Sequence, residues 1–198
     1  HYDHMDMPTL VRLKKRFDPQ FLVPLNNAHY LSEYSIKRIE ELNWWDKTDT
    51  HQNTHISLVP AHHWSLRKGF DKNESLWGGF VMELNKTKIF FAGDTGYSPH
   101  FKDISAQFGA IDISLLPIGA YNPRWFMKDS HMNPEDTVKA HRDLKSKVSI
   151  PMHFGSFQLT DETFEAPLLD LKEAIQKQGV SEKNFRVLKE GQTFVFKV

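Results

Sequence analysis

"TKIFFAGD", residues Thr87 to Asp94, is an apolar run of strand length that surfaces at a carboxylate. Its β-branched and aromatic residues fit a pleated, half-buried strand, and the small residues after Phe91 end it in a turn. The same grammar recurs on both sides. "THISLVPA" (54–61), "LWGGFVMEL" (76–84), "IDISLLPIG" (111–119) and "KVSIPMHF" (147–154) are further strand-like runs, each closed by Gly, Pro, Asp or His. Between the last two lies "NPEDTVKAHRDL" (133–144), a helix start with Asn133 as cap, Pro134 at the first helical position and acids in the first turn. Glu165 to Gln178 reads as an amphipathic helix stopped at Gly179. In the first fifty residues, Thr9 to Phe17 reads as a short helix, Phe21 to Leu25 as a strand and His29 to Leu42 as a second helix. "QTFVFKV" (192–198) alternates and is expected to close the chain as a strand. Strands in hairpins first, then strands alternating with helices, point to a layered α/β sandwich.

Composition narrows the function. The chain has 198 residues, enough for one domain with a core, and residues 1–198 are read as one domain. Basic and acidic residues balance at 25 each, which argues against a nucleic-acid platform. There is no cysteine, so disulfides are excluded and a metal site must use His, Asp or Glu. No apolar run approaches the roughly 18 residues of a membrane span. Eleven histidines are many for this length.

Those histidines sit where scaffolds present chemistry. "LVPAHHW" ends in His62 and His63, "IFFAGDTGY" carries Asp94 and "VSIPMHFGSF" carries His153, each at the end of a strand-like run. The opening "HYDHMD" places His1, Asp3 and His4 within four residues. A lone strand-end histidine is more often a hydrogen-bonded loop residue than a ligand, and a Gly-Asp-Thr turn is common. The conjunction supplies six candidate metal ligands: His1, Asp3, His4, His63, Asp94 and His153. Two zinc ions sharing one carboxylate need about seven protein ligands plus water.

The order H-x-D-H, single His, G-D-T, single His resembles the metallo-β-lactamase superfamily. That family opens with H-x-H-x-D-H, so one further ligand, with the strands before it, is expected upstream of His1. The chain then reads as the C-terminal two-thirds of a longer domain. "VPAHHWSLRKGFDKNESLWGGFVM", "FFAGDTGYSPHF", "LLPIGAYNPRWFM", "HMNPEDTVKAH" and "PMHFGSF" resemble the branch of phospholipases D that hydrolyse N-acylphosphatidylethanolamine. The resemblance runs from residue 1 to about Gly191. Position 62 is His where the branch tends to have Gln, and Lys68 stands near the branch's Arg-Gly pair. Of the adjacent histidines, His63, which precedes Trp64 as in the family, is taken as the ligand.

The resemblance implies an αββα four-layer sandwich holding two Zn2+ ions. The upstream histidine, His1 and His63 would hold one; Asp3, His4 and His153 the other; Asp94 would bridge them. Two such cations lower the pKa of a shared water from about 15.7 toward neutrality and stabilise charge on a phosphodiester. Asp3 is further expected to accept a hydrogen bond from that water, and His131 to act as general acid or phosphate hydrogen-bond donor. Tyr121, Arg124 and Trp125, in "GAYNPRWFM", are expected to bind substrate: Arg124 by pairing with phosphate, the aromatics by lining an acyl groove. The implied reaction is phosphodiester hydrolysis of phospholipase D type on a phospholipid or related substrate. Peripheral membrane contact and a homodimer are the partners considered, in the cytoplasm or at a membrane surface. A lactonase or other ester hydrolase on the same scaffold, and a binding protein without turnover, are the alternatives, because fold does not fix substrate.

Overall fold

The computed structural model describes residues 1–50 and 53–196. His51, to which no role is assigned, and the last two residues of the expected closing strand lie outside the described residues.

The chain opens with a loop that enters helix α1 (Met7–Phe17). Asp6 caps it, its carboxylate accepting from the Thr9 N–H at 2.9 Å, and Lys14, Lys15 and Arg16 complement the dipole at the other end. Strand β1 (Phe21–Pro24), the short helix α2 (Ala28–Ser32) and strand β2 (Ile39–Leu42) follow, with β1 and β2 pairing in parallel. This corrects the expectation of one helix from His29 to Leu42. The helix stops because Ser35 takes a left-handed conformation (φ 59°) and Ile36 N–H donates back to Leu31 O at 3.3 Å, a Schellman-type ending. Glycine normally signals that ending; here serine does it, and the apolar spacing of Leu31, Tyr34, Ile39 and Leu42 imitates a longer helix.

The remainder builds one six-stranded sheet, in the order β3 (Lys47–Thr50), β4 (Thr54–Val59), β5 (Gly79–Leu84), β6 (Thr87–Phe91), β7 (Ile113–Pro117) and β8 (Val148–Met152). β3 to β6 pair antiparallel; β6, β7 and β8 pair in parallel. β4 and β6 are both antiparallel to β5, so the carboxyl ends of β4, β6, β7 and β8 point the same way. Four helices fill the crossovers and the end of the chain: α3 (His100–Phe108), α4 (Arg124–Met127), α5 (Pro134–Asp143) and α6 (Ala166–Lys177). α5 begins as its sequence requires, with Asn133 Oδ1 accepting from the Asp136 N–H at 2.9 Å. α3 and the edge strand β3 carry no strong capping or periodic signal and were not expected.

Register divides the sheet into two faces. Val59, Val81, Phe90 and Leu116 lie on one and pack under Phe101 and Ile104 of α3 and Ala140 of α5 as the main core. Val138, Leu171, Ala174 and Ile175 continue it between α5 and α6. The opposite face aligns Ile56, Met82, Ile89, Ile113 and Val148 in one row and Leu58, Phe80, Phe91, Leu115 and Ile150 in the next. Of these only Leu58 is fully buried; the others are partly exposed. The α/β class expected from the sequence is the one observed.

The expected closing strand does not form in residues 192–196, and Val195 is 71% exposed. The free edge of β8 is met instead by Phe185, bridged to Ser149, with Arg186 N–H donating to Ser149 O at 2.9 Å. No helix among the described residues is long and apolar enough to cross a membrane.

Candidate metal centre

The carboxyl ends of β4, β6 and β8 deliver His63, Asp94 and His153 to one place, and the loop before α1 adds His1, Asp3 and His4. Asp94 is the hub. His4 Nε2 lies 2.9 Å from its Oδ2, His153 Nε2 lies 3.2 Å from its Oδ1, and His63 Nε2 lies 4.0 Å from Oδ2. His1 Nδ1 is 3.3 Å from His63 Nε2. Asp3 Oδ2 is 3.5 Å from His4 Nε2 and 4.0 Å from His153 Nε2. All six residues singled out in the sequence converge.

Two groups have ligand atoms mutually within 4.8 Å: Asp3, His4, Asp94 and His153, and His63, Asp94 and His131. They share Asp94. Among buried polar atoms, His1 Nε2, Asp94 Oδ1, His131 Nδ1 and His153 Nδ1 lack hydrogen-bond partners. Four such atoms in one site are costly unless something satisfies them. Imidazole nitrogens and carboxylate oxygens in this arrangement fit a divalent cation of zinc type.

Electrostatics agree with that fit. Burial pushes the His63 imidazolium down to about 4 and lowers that of His131 too, which favours in both the uncharged ring that has a lone pair to offer. Burial alone would raise the Asp94 carboxyl; the hydrogen bond from His4 and the charges of His153 and His4 override it and hold the carboxyl well below its usual range. The same hydrogen bond raises His4. His63 Nδ1–H donates to Ser130 O at 2.9 Å, which fixes the tautomer and turns Nε2 inward. The neighbouring His62 is exposed.

Local structure explains the convergence. His153 sits at φ 59°, a left-handed turn straight after β8. Gly119, at the end of β7, permits it: a Cβ there would lie 2.2 Å from the His153 carbonyl oxygen. Thr95, read only as part of a turn, ties three loops together. Its Oγ1 accepts from the His62 N–H at 2.9 Å, and its carbonyl accepts from the Met132 N–H at 2.9 Å. Gly96 lets the His131 loop lie against it, since a Cβ there would meet Asp129 O at 2.6 Å.

The three residues expected to bind substrate make the following contacts. Arg124 Nη1 donates to His131 O at 2.8 Å and its Nη2 pairs with Asp136 Oδ2 at 2.7 Å, so the guanidinium clamps the His131 loop to the start of α5. Tyr121 is buried, and its hydroxyl donates to the Asp170 carboxylate on α6. Trp125 is 78% exposed and packs edge-on against Phe126. Arg67 is partly buried: Nη2 donates to Met5 O at 3.0 Å and the guanidinium lies over the Tyr2 ring at 4.2 Å, bracing the His1–Asp6 loop. Side-chain type did not reveal these jobs, because each is defined by a backbone carbonyl or by a residue distant in sequence.

Comparison with known proteins places this arrangement. A sequence match to the beta-lactamase superfamily domain covers residues 1–154. The chain is 37% identical, over 91% of its length, to 49% of an uncharacterised protein of Mycobacterium tuberculosis strain H37Rv. It is 36% identical, over 84% of its length, to 37% of the mitochondrial N-acyl-phosphatidylethanolamine-hydrolyzing phospholipase D of Saccharomyces cerevisiae. The corresponding phospholipase D 1 of Caenorhabditis elegans is 34% identical over 87% of this chain and 52% of its own. The chain thus spans about half the length, or less, of these curated relatives. In fold it is similar to Igni18, a metallo hydrolase of Ignicoccus hospitalis, at TM-score 0.74 with 23% identity, covering 100% of this chain and 77% of that one. With a family match over most of its length and the histidine–aspartate cluster at its strand ends, the chain belongs to the metallo-β-lactamase superfamily.

Proposed function

We propose that this chain carries the dinuclear centre of a metal-dependent phosphodiesterase of phospholipase D type, acting on an N-acylated phosphatidylethanolamine or a related diester. The observation that supports it most is the gathering of ligand atoms around Asp94: those of Asp3, His4 and His153 lie with it within 4.8 Å of one another, His63 Nε2 lies 4.0 Å from its carboxylate, and His1 Nδ1 lies 3.3 Å from His63 Nε2. His1, His63 and Asp94 would hold one Zn2+, and Asp3, His4, Asp94 and His153 the other. When bound, the two ions supply Lewis acidity toward a phosphoryl oxygen and acidify water. The chain's own residues do the rest. Asp3, exposed at the mouth, accepts a proton or hydrogen bond from the attacking water. His131, whose neutral form burial favours, donates a hydrogen bond to a phosphoryl oxygen; in its protonated form it would instead pass a proton to the leaving oxygen. The similarity to relatives named as phospholipases D, at 34% and 36% identity, favours the phosphodiester over other esters.

His131 has a second reading. It groups with His63 and Asp94 within 4.8 Å, which suits a metal ligand. His131→Ala separates the two: a proton donor leaves metal content intact, a ligand does not.

The substrate class is tested by giving the zinc-loaded protein bis(4-nitrophenyl) phosphate, 4-nitrophenyl acetate and a γ-lactone. Turnover of the phosphodiester alone is expected. Turnover of ester or lactone alone would move the protein to the other hydrolase class, and none at all to a binding protein.

A further inference from the structure

Beside the metal centre lies an open cavity of about 230 Å3 whose lining joins two kinds of surface. At one end are Asp3, His4 and His153; at the other are Phe154, Phe157, Leu159 and Phe164. The volume is below the roughly 300–1,000 Å3 of whole small-molecule sites, so it suits part of a ligand. Phe157 and Leu159 are 75% and 59% exposed, so they leave apolar surface bare beside the cavity. Both belong to residues 155–165, a stretch between β8 and α6 without regular structure except turns and bends.

Something must hold such a stretch in place. Glu162 does so. Its Oε1 accepts from the Tyr121 N–H at 3.2 Å and its Oε2 from the Asn122 N–H at 3.0 Å, while Asp161 N–H donates to Asn122 O at 3.4 Å. One carboxylate thus straddles two successive backbone N–H groups forty residues earlier in the chain. The segment it grips is itself fixed, because Tyr121 is anchored by its hydroxyl to Asp170 and Gly119 abuts His153. The clasp therefore ties the outer wall of the cavity to the same strand end that positions the cluster.

We propose that Glu162 is a positioning residue: it clasps the 155–165 segment over the cavity and so maintains an apolar wall that seats an alkyl chain of a substrate whose anionic end lies at the histidine cluster. The occupant follows from the lining, which offers metal-ligating side chains at one end and apolar ones at the other. The proposal rests on the phosphodiesterase reading only for the identity of the anionic end.

Calorimetric titration of the zinc-loaded protein with methyl phosphate and with octyl phosphate, below its micellar range, tests it without turnover. Burial of several methylenes makes the wild type bind octyl phosphate more than about 10-fold tighter than methyl phosphate. In Glu162→Ala that ratio falls to below about 3-fold, while methyl phosphate affinity, zinc content and thermal midpoint stay as in the wild type; Glu162→Gln, which keeps one acceptor, lies between. A merely structural role would move the midpoint or both affinities together. A wild type with no chain-length preference, or a Glu162→Ala variant that keeps the full preference, overturns the proposal. Should the preference behave as stated while 4-nitrophenyl diesters of either chain length go unhydrolysed, the phosphodiesterase reading falls and Glu162 keeps its role.

Discussion

Asp94 is the one residue common to both ligand groups, and its chemistry is not replaceable by shape alone. Asp94→Asn keeps the size and one acceptor but removes the charge that would face both cations of the proposed centre. Metal affinity is expected to fall by more than the roughly 10–100-fold typical of losing an outer hydrogen-bond partner. Elemental analysis of the purified variant checks this, and two tightly held metals would refute a bridging role. His131→Ala is expected to retain both metals and lose about 10²–10⁴ in kcat on a diester with a poor leaving group. Gly119→Ala is expected to cost at least the roughly 1–3 kcal/mol of ordinary overpacking, because its Cβ would stand 2.2 Å from the carbonyl of His153. A denaturation midpoint equal to the wild type's would show that the turn can give. The convergence of His1, Asp3, His4, His63, Asp94 and His153 was legible in the sequence, since few side chains bind metals and each sits at a strand or loop end. The contacts of Tyr121 and Arg124 were not legible, for the opposite reason. A phenol and a guanidinium serve many purposes, and only coordinates show that theirs are Asp170 and the His131 carbonyl.

At the scale of elements, the strands that carry the site were legible because their apolar runs end abruptly at ligand residues. What failed was local. Ser35 ends α2 without glycine, and the C-terminal alternation meets a β8 edge that Phe185 and Arg186 already occupy at Ser149. The connection between α4 and α5 is the element most exposed to a single change. Arg124 bonds both the His131 carbonyl and Asp136 near the amino end of α5, where an acid is already favoured by the dipole. Arg124→Met is expected to lower stability by about 1–3 kcal/mol, the usual cost of stranding a hydrogen-bonded charge. It should also lower kcat more than it raises KM, because His131 loses its fixed position while the substrate keeps its contacts. An unchanged kcat with a much raised KM would return Arg124 to the substrate-binding role.

For the whole molecule, the sheet has one face covered by α3 and α5, with α6 packed against α5, and another whose apolar rows, Ile89 and Phe91 among them, are only partly covered. The 198-residue chain alone is therefore expected to enhance the fluorescence of a hydrophobic dye, and a dye signal no higher than that of a fully covered α/β protein would argue against it. Two buried histidines outside the site, His100 and His141, are pushed by burial to about 4. Unfolded, they titrate near 6.5. Between those values the unfolded chain binds protons that the folded chain refuses, so stability should fall as pH drops through about 6.5 and level off below about 4. Urea midpoints of metal-free protein at pH 7.5, 6 and 5 should decline in that order, and less steeply in His141→Gln. All of this surrounds one claim, that the strand ends assemble a two-metal site around Asp94. Anomalous scattering at the zinc edge from crystals of the zinc-loaded protein tests it most directly. Two peaks flanking the Asp94 carboxylate, roughly 3.5–4 Å apart, are expected. A single peak, or peaks away from Asp94, would contradict it.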